Sequence, residues 1–221
     1  RVMLPPKVFG EGLAVGANHR LVQLTWKDHT AFVRDSATLQ EVGTHHYLGE
    51  GWGLSTQPDG RLLMTMGILN TPSDTGYDGK NVASIKRGGP PFNRPTNVAI
   101  GDKGRIYITD GYVNSRVAKF DANGDWVKQW GSKGTGPGQF VIPHSIAIDR
   151  NDNVYVGDRS NRRIQVFDEN GKFLSQWDLG DGPTATYHIW MSADQHLWMS
   201  DGHGNFKFYK YDLNGKRLYS W

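Results

Sequence analysis

The sequence predicts an all-β protein, a five-bladed β-propeller built of four-stranded antiparallel blades. Three observations carry that prediction. The composition is turn-rich, with 28 Gly and 10 Pro among 221 residues. Short stretches alternate apolar with polar and show no helical period. A hairpin motif returns at near-constant spacing: Phe120-Asp-Ala-Asn-Gly-Asp-Trp-Val-Lys-Gln-Trp130, Phe167-Asp-Glu-Asn-Gly-Lys-Phe-Leu-Ser-Gln-Trp177 and Tyr211-Asp-Leu-Asn-Gly-Lys-Arg-Leu-Tyr-Ser-Trp221 lie 47 and then 44 residues apart.

Each copy reads as strand, turn, strand, the Asn-Gly pair supplying the positive φ values of a tight hairpin. A second pair of strands precedes each copy, in residues 97–110, 145–158 and 188–201. A repeat therefore holds four strands, and one such blade has two apolar faces that only neighbours in a ring can cover. The N-terminal part fits the same register through Leu21–Trp26, Thr30–Asp35 and the stretch from Leu39. A further unit opens at Gly53–Thr56 and Arg61–Met66. The residues ending each second strand, Trp26, Met66, Asp110, Asp158 and Asp201, lie 40 to 48 apart, which gives five blades in a single domain over residues 1–221. Blade two is the incomplete one, because residues 67–92 offer no convincing third strand and Pro72 opposes one. For closure, either Arg1–Leu4 joins the last blade or Lys216–Trp221 fills that outer position itself.

Composition narrows the function classes. Net charge is +3, from 25 basic and 22 acidic residues with no block of like charge, so nucleic acid is not the expected partner. No apolar run approaches membrane-spanning length and no charged-then-apolar leader opens the chain, so neither a membrane span nor a secretion signal is expected. Without Cys, thiolate catalysis and Cys-ligated zinc drop out, and a metal must rely on His and oxygen ligands. The expected state is a monomer.

Innermost propeller strands line the central channel. Aligning the repeats puts Glu11, Trp52, Thr96, His144 and Tyr187 around one mouth, followed by Trp26-Lys27, Met66, Asp110-Gly-Tyr112, Asp158-Arg159 and Asp201-Gly-His203. Aromatic rings with a carboxylate, an imidazole and a guanidinium suit a small peptide ligand there. Plainer roles fit other residues. Trp130, Trp177 and Trp221 pack between blades, Asp110, Asp158 and Asp201 bond backbone N–H groups at turns, and His45 and His46 sit solvated on an outer strand.

Lys7-Val-Phe-Gly-Glu-Gly-Leu13, Leu21-Val-Gln-Leu-Thr-Trp-Lys27, Ala31-Phe-Val-Arg-Asp35 and Gly49-Glu-Gly-Trp-Gly-Leu54 resemble the plant and bacterial type of glutaminyl cyclotransferase, a five-bladed propeller, over residues 4–66. Residues 67–221 resemble instead the NHL-repeat propellers related to peptidylglycine amidating lyase. The residues that carry this are Arg94-Pro-Thr-Asn-Val-Ala99, Asp110-Gly-Tyr-Val-Asn-Ser-Arg116, Gly138-Gln-Phe-Val-Ile-Pro-His-Ser-Ile-Ala147 and Asp158-Arg-Ser-Asn-Arg-Arg-Ile-Gln165. The first resemblance implies a pocket of Phe9, Trp26 and Trp52 binding substrate. Glu11 would manage the proton of the substrate amine, its pKa raised by desolvation beside Trp rings. That family's Gln-Gly entry motif and channel lysine have no counterpart. The second resemblance implies Tyr112 as base or oxyanion, His144 as one of three zinc ligands, and Arg159 as a fork for the substrate carboxylate. The other two histidines are unmatched. Thr96 and Tyr187 stand in their place, and His188, one residue on, faces the other side. The family's disulfide positions fall on Val113, Tyr155 and Val166. No cofactor is assigned, and a zinc or calcium ion in the channel stays open.

The expectation that follows is a constructed chimera, cyclotransferase-like over residues 1–60 and NHL-like over 61–221, the alternative origin being a natural short propeller that drifted to resemble both families. The chimera is a scaffold with partial peptide-terminus sites and little or no catalysis, because catalysis needs every group in place while blade stacking needs only compatible neighbours. The alternatives are an enzyme on peptide ends, cyclotransferase-like or metal-dependent and lyase-like, and an NHL-type RNA- or protein-binding module using Lys86, Arg87, Arg94, Arg116, Arg162 and Arg163.

Overall fold

The computed structural model describes residues 10–16, 20–25, 28–46, 76, 78, 92–202 and 207–221. The chain forms two compact units, Arg1–Pro72 and Ser73–Trp221. Among the described residues no helix is long and apolar enough to cross a membrane.

The first unit holds one antiparallel meander of β1 (Gly10–Gly16), β2 (Arg20–Thr25), β3 (Thr30–Asp35) and β4 (Glu41–His46), hydrogen-bonded in chain order. Between β1 and β2 the register slips, Gly10 facing Thr25 but Leu13 facing Gln23, so the stretch carrying Glu11 is a β-bulge. On β3, Ala31 and Phe32 are buried, whereas β4 is exposed throughout, His45 and His46 included.

The second unit holds three more such sheets. The first is β5 (Asn97–Ile100), β6 (Ile106–Asp110), β7 (Arg116–Phe120) and β8 (Trp126–Trp130). A short parallel pair, β9 (Ser132–Lys133) and β10 (Gln139–Phe140), leads to β11 (Pro143–Ile148), β12 (Val154–Asp158), β13 (Arg163–Phe167) and β14 (Phe173–Asp178). The last sheet is β15 (His188–Met191), β16 (Leu197–Ser200), β17 (Phe208–Tyr211) and β18 (Arg217–Ser220). Four strands per repeat is as predicted, and Arg217–Ser220 takes the outer position. The count of five needs correcting, since the described residues hold four four-stranded sheets. The unit expected from Gly53 to Met66, the weak stretch containing Pro72 and the closure segment Arg1–Leu4 lie outside the described residues.

The repeated outer hairpins differ from the two-residue turn that Asn-Gly suggests. Positive φ occurs at Gly124, Gly171 and Gly215 and not at the preceding Asn. Gly124 N–H bonds the Asp121 carbonyl while Asp121 N–H bonds Asp125 O, which is a type I turn followed by a left-handed glycine. Asp Oδ1 fastens each turn by accepting two backbone N–H groups, from Asn123 and Asp125 at 2.9 Å in the first copy and likewise in the others. The glycine has a second duty. A Cβ on Gly171 would stand 2.6 Å from the ring of Trp130 in the preceding blade, and one on Gly215 would meet Trp177. Two of the three recurring tryptophans thus lie on the next blade's turn.

Between blades the packing alternates along single strands. Val154 and Val156 on β12 join Tyr107 and Val117 of the preceding sheet with Phe140, Ile146 and Phe167. Tyr155, between those valines, turns the other way and joins Ala147, Ile164 and Val166 to Ile189, Leu197, Met199, Tyr209 and Tyr211. Such a strand is apolar on both faces, and each side chain buried contributes about 1.5–3 kcal/mol. Tyr155 and Val166, which match disulfide positions of the lyase family, are cross-strand partners buried in this core. The first strands β5, β11 and β15 are neighbours, with β11 between the other two.

Candidate functional site

The ends of β6 and β12 position the site. Asp110 and Asp158 close these strands, and both carboxylates are fully buried. Asp110 accepts from Asn93 N–H and from Arg116 Nε at 2.9 Å. Asp158 accepts from Val141 N–H at 3.1 Å, from Asn161 Nδ2 at 2.7 Å and from Arg163 Nε at 3.1 Å. Burial pushes both carboxyls up, opposed by these amide and guanidinium donors. Arg163 uses all five of its donors: besides Asp158 it reaches Thr135 O, Gln176 Oε1, Gly136 O and Gln139 O. Asp201 repeats the turn role, accepting from Thr184 N–H and Oγ1. These joints clamp the loop entering each blade and fix where the next residues point.

Arg159, directly after Asp158, is held by its N–H to Ile142 O at 2.9 Å. Its side chain leaves the joint for the start of β11, where Nη1 donates to Tyr112 Oη at 3.1 Å and the guanidinium lies 4.4 Å from the centre of the Tyr187 ring. Tyr112 Oη meets His144 Nε2 at 3.2 Å, and His144 Nδ1 meets the Tyr187 carbonyl at 2.7 Å. A carbonyl only accepts, so Nδ1 carries the proton, Nε2 holds the lone pair, and the Tyr112 hydroxyl donates to it. The result is one directed chain from Arg159 through Tyr112 and His144 to Tyr187. Burial pulls the His144 pKa down to about 4, against the hydrogen bond to Tyr187 and with help from the Arg159 charge, so the imidazole is neutral at physiological pH.

A backbone irregularity aims His144. Pro143 faces Asp158 and Ser145 faces Gly157, leaving His144 as the extra residue of a bulge on β11. Tyr112, His144 and Arg159, 47 residues apart at the extremes, are thus brought into contact. Tyr187, aligned with the ring but given no role by the sequence, holds both His144 and Arg159. The repeat alignment was the only signal for it. Glu11 lies on β1 in the other unit, and Phe9, Trp26 and Trp52 lie outside the described residues.

The described residues do not fit a three-histidine zinc set. Thr96 is buried with its hydroxyl on Pro143 O at 2.7 Å, and Tyr187 stands where a third ligand would. His188 pairs instead with Asn97 Nδ2 at 3.0 Å, and both nitrogens of His144 are engaged. Among the described residues no three His, Asp or Glu side chains converge to hold a metal ion.

Comparison with known proteins divides the chain. The glutamine cyclotransferase family matches residues 1–87, past Met66 where the quoted resemblance stops, and a family described as the 6-bladed beta-propeller matches residues 91–217. Human NHL repeat-containing protein 3 is 42% identical over 126 residues, covering 53% of this chain and 33% of that protein. Rat peptidylglycine alpha-amidating monooxygenase is 42% identical over 87 residues, covering 37% of this chain and 9% of its own length. The probable peptidyl-alpha-hydroxyglycine alpha-amidating lyase of Caenorhabditis elegans is 42% identical over 79 residues, covering 34% and 23%. The chain thus spans a third or less of the curated relatives described. Among solved structures, a Bacteroides caccae protein of unknown function superposes with a TM-score of 0.68 at 13% identity, over 99% of this chain and 83% of that one, which bears on the fold alone. The matched family carries six blades rather than the expected five. Its match covers more than half of the chain, from ahead of β5 to the first residue of β18, and the chain belongs to this 6-bladed β-propeller family.

Proposed function

We propose that the chain is a composite propeller, a constructed hybrid of a cyclotransferase-like and an NHL-like segment, that docks the carboxylate end of a peptide at Arg159 and does not turn it over. The carrying observation is the setting of Arg159. Tyr112 and Tyr187 orient its guanidinium, and among the described residues no carboxylate lies within ion-pair distance of it. A fork held on an aromatic face is prepared for bidentate carboxylate binding, and a charge-assisted pair of this kind is worth about 1.5–3 kcal/mol. The lyase-like relatives act, by their names, on peptidylglycine or peptidyl-alpha-hydroxyglycine, which supports a glycine-ended peptide as the ligand class.

The same geometry argues against turnover by the chain's own groups. A base formed from Tyr112 must lose its proton, and the acceptor it faces, His144, has a pKa near 4. Proton transfer to it at neutral pH is uphill. Adjacent family matches over residues 1–87 and 91–217, without overlap, support the composite origin.

The test compares two peptides that end in glycine, one as free acid and one as amide, by calorimetry in metal-free buffer. The acid is expected to bind about tenfold more tightly or better. A peptidyl-hydroxyglycine and a glutaminyl peptide, each incubated with and without zinc, should remain unchanged by mass spectrometry. Equal affinity for acid and amide overturns the docking role. Zinc-dependent conversion lost in His144→Ala makes the chain a lyase, and glutaminyl cyclisation lost in Glu11→Gln makes it a cyclotransferase.

A further inference from the structure

The last described sheet ends in a face unlike those before it. Trp190, Trp198, Lys210 and Tyr219 are cross-strand partners in one row over β15 to β18. Trp190 is 56% exposed, Tyr219 62% and Trp221 58%, and Trp221 stacks on Trp198 with ring centres 5.2 Å apart and planes 9° from parallel. The equivalent rows in the preceding sheets start Ala99, Tyr107 and Ala147, Tyr155. There Tyr107 and Tyr155 are buried, at 1% and 3% exposure, each beneath the sheet that follows. The position is therefore built as a sheet-covering face in every repeat, and in the last one it is wide, aromatic and open. An exposed cluster of this kind marks an interaction surface.

We propose that this face is covered by the same face of a second copy of the chain, in a two-fold dimer, in place of the expected monomer. Two observations select that occupant. The opposite side of the β5–β8 sheet is already buried, with Ile106, Ile108, Ala118 and Phe120 all inside, so a second copy has no free face there to present. The patch is also compatible with itself. Its one cation, Lys210, lies over Trp198 and 3.4 Å from Asp194, so two copies bring together rings and a neutralised pair rather than like charges. Tryptophan and tyrosine at the centre of such a contact carry most of its energy.

Sedimentation velocity from about 1 to 100 μM tests this. The wild type is expected to shift from monomer to dimer across that range. Trp190→Glu, which sets two charges against each other across the two-fold axis, should weaken association about tenfold or more at an unchanged melting temperature. Tyr219→Ser, on the exposed edge strand, should weaken it less and serves if the first variant folds poorly. A wild type that stays monomeric throughout overturns the proposal. Self-association that neither variant disturbs also overturns it, because the interface then lies elsewhere. Resistance of a monomer's tryptophan fluorescence to acrylamide would give the face to the chain's own residues, the third contrary result.

Discussion

Arg163 and Arg159 stand four residues apart at opposite ends of one short turn, and the chain treats them oppositely. Arg163 is buried against Asp158, with each of its five donors answered by a carboxylate, an amide or a backbone carbonyl. Arg159 has one bond to a neutral phenol and an aromatic ring behind it. The joint and the Tyr112–Tyr187 seat therefore use the same residue type for different ends. A guanidinium with every donor satisfied holds a blade together, whereas one oriented but left without an anionic partner among the described residues is suited to accept one from outside.

The largest break in this comparison should come at the joint. Asp158→Ala leaves Arg163 buried without its anion and deprives Val141 and Asn161 of their acceptor, and a loss of about 3–5 kcal/mol is expected in denaturant unfolding. Acid should act next, through His144. His144 titrates near 4 in the folded chain against a usual 6.5. Above pH 6.5 both states are neutral and the group contributes nothing. Between 6.5 and 4 only the unfolded chain takes up the proton, so stability falls, by about 3 kcal/mol once both states are charged. Measured from pH 7.5 to 4.5, the fall should be clearly smaller in His144→Phe, the remainder including His188, whose pKa burial also lowers, whereas a fall unchanged by the substitution assigns the acid sensitivity to other groups. Smaller still is the turn glycine under Trp130. Gly171→Ala combines positive φ with a ring in the way, for about 1–3 kcal/mol. Gly180→Ala has positive φ with nothing within 4 Å and should lose only about 1 kcal/mol. Equal losses would mean that the tryptophan seat is slack. The smallest stability effect belongs to Arg159→Gln, within about 0.5 kcal/mol of wild type.

What was legible in the sequence follows the same divide. The repeat exposed the strands because a blade apolar on both faces must write Val-Tyr-Val or Ile-Tyr-Ile, as Val154–Val156 and Ile106–Ile108 do. The Asp repeated at the strand ends was readable as an acceptor for backbone N–H, and Asp110, Asp158 and Asp201 each take one, from Asn93, Val141 and Thr184, whereas the hairpin Asp121, Asp168 and Asp212, which take two each, were not singled out. Tyr112, His144 and Arg159 were legible through resemblance, and the alignment of repeats put His144 in one ring and Tyr112 and Arg159 in the ring that follows it. The bulge that aims His144 was not, because an extra residue in a ladder leaves no mark on alternation as short as Pro143–Ile148. Nor was the part played by Tyr187, whose backbone carbonyl, which every residue has, sets the histidine tautomer. The five-blade count extended the period across residues 67–92, where the strand signals that fix it fade.

Docking and joint separate most cleanly in the binding of free-acid and amide glycine-terminated peptides to Arg159→Gln and Arg163→Gln, alongside their melting temperatures. Arg159→Gln is expected to melt with the wild type and no longer distinguish acid from amide, while Arg163→Gln melts far lower and keeps the distinction in whatever fraction remains folded. An Arg159→Gln protein that still prefers the acid, or that unfolds as readily as Arg163→Gln, removes the docking role from Arg159.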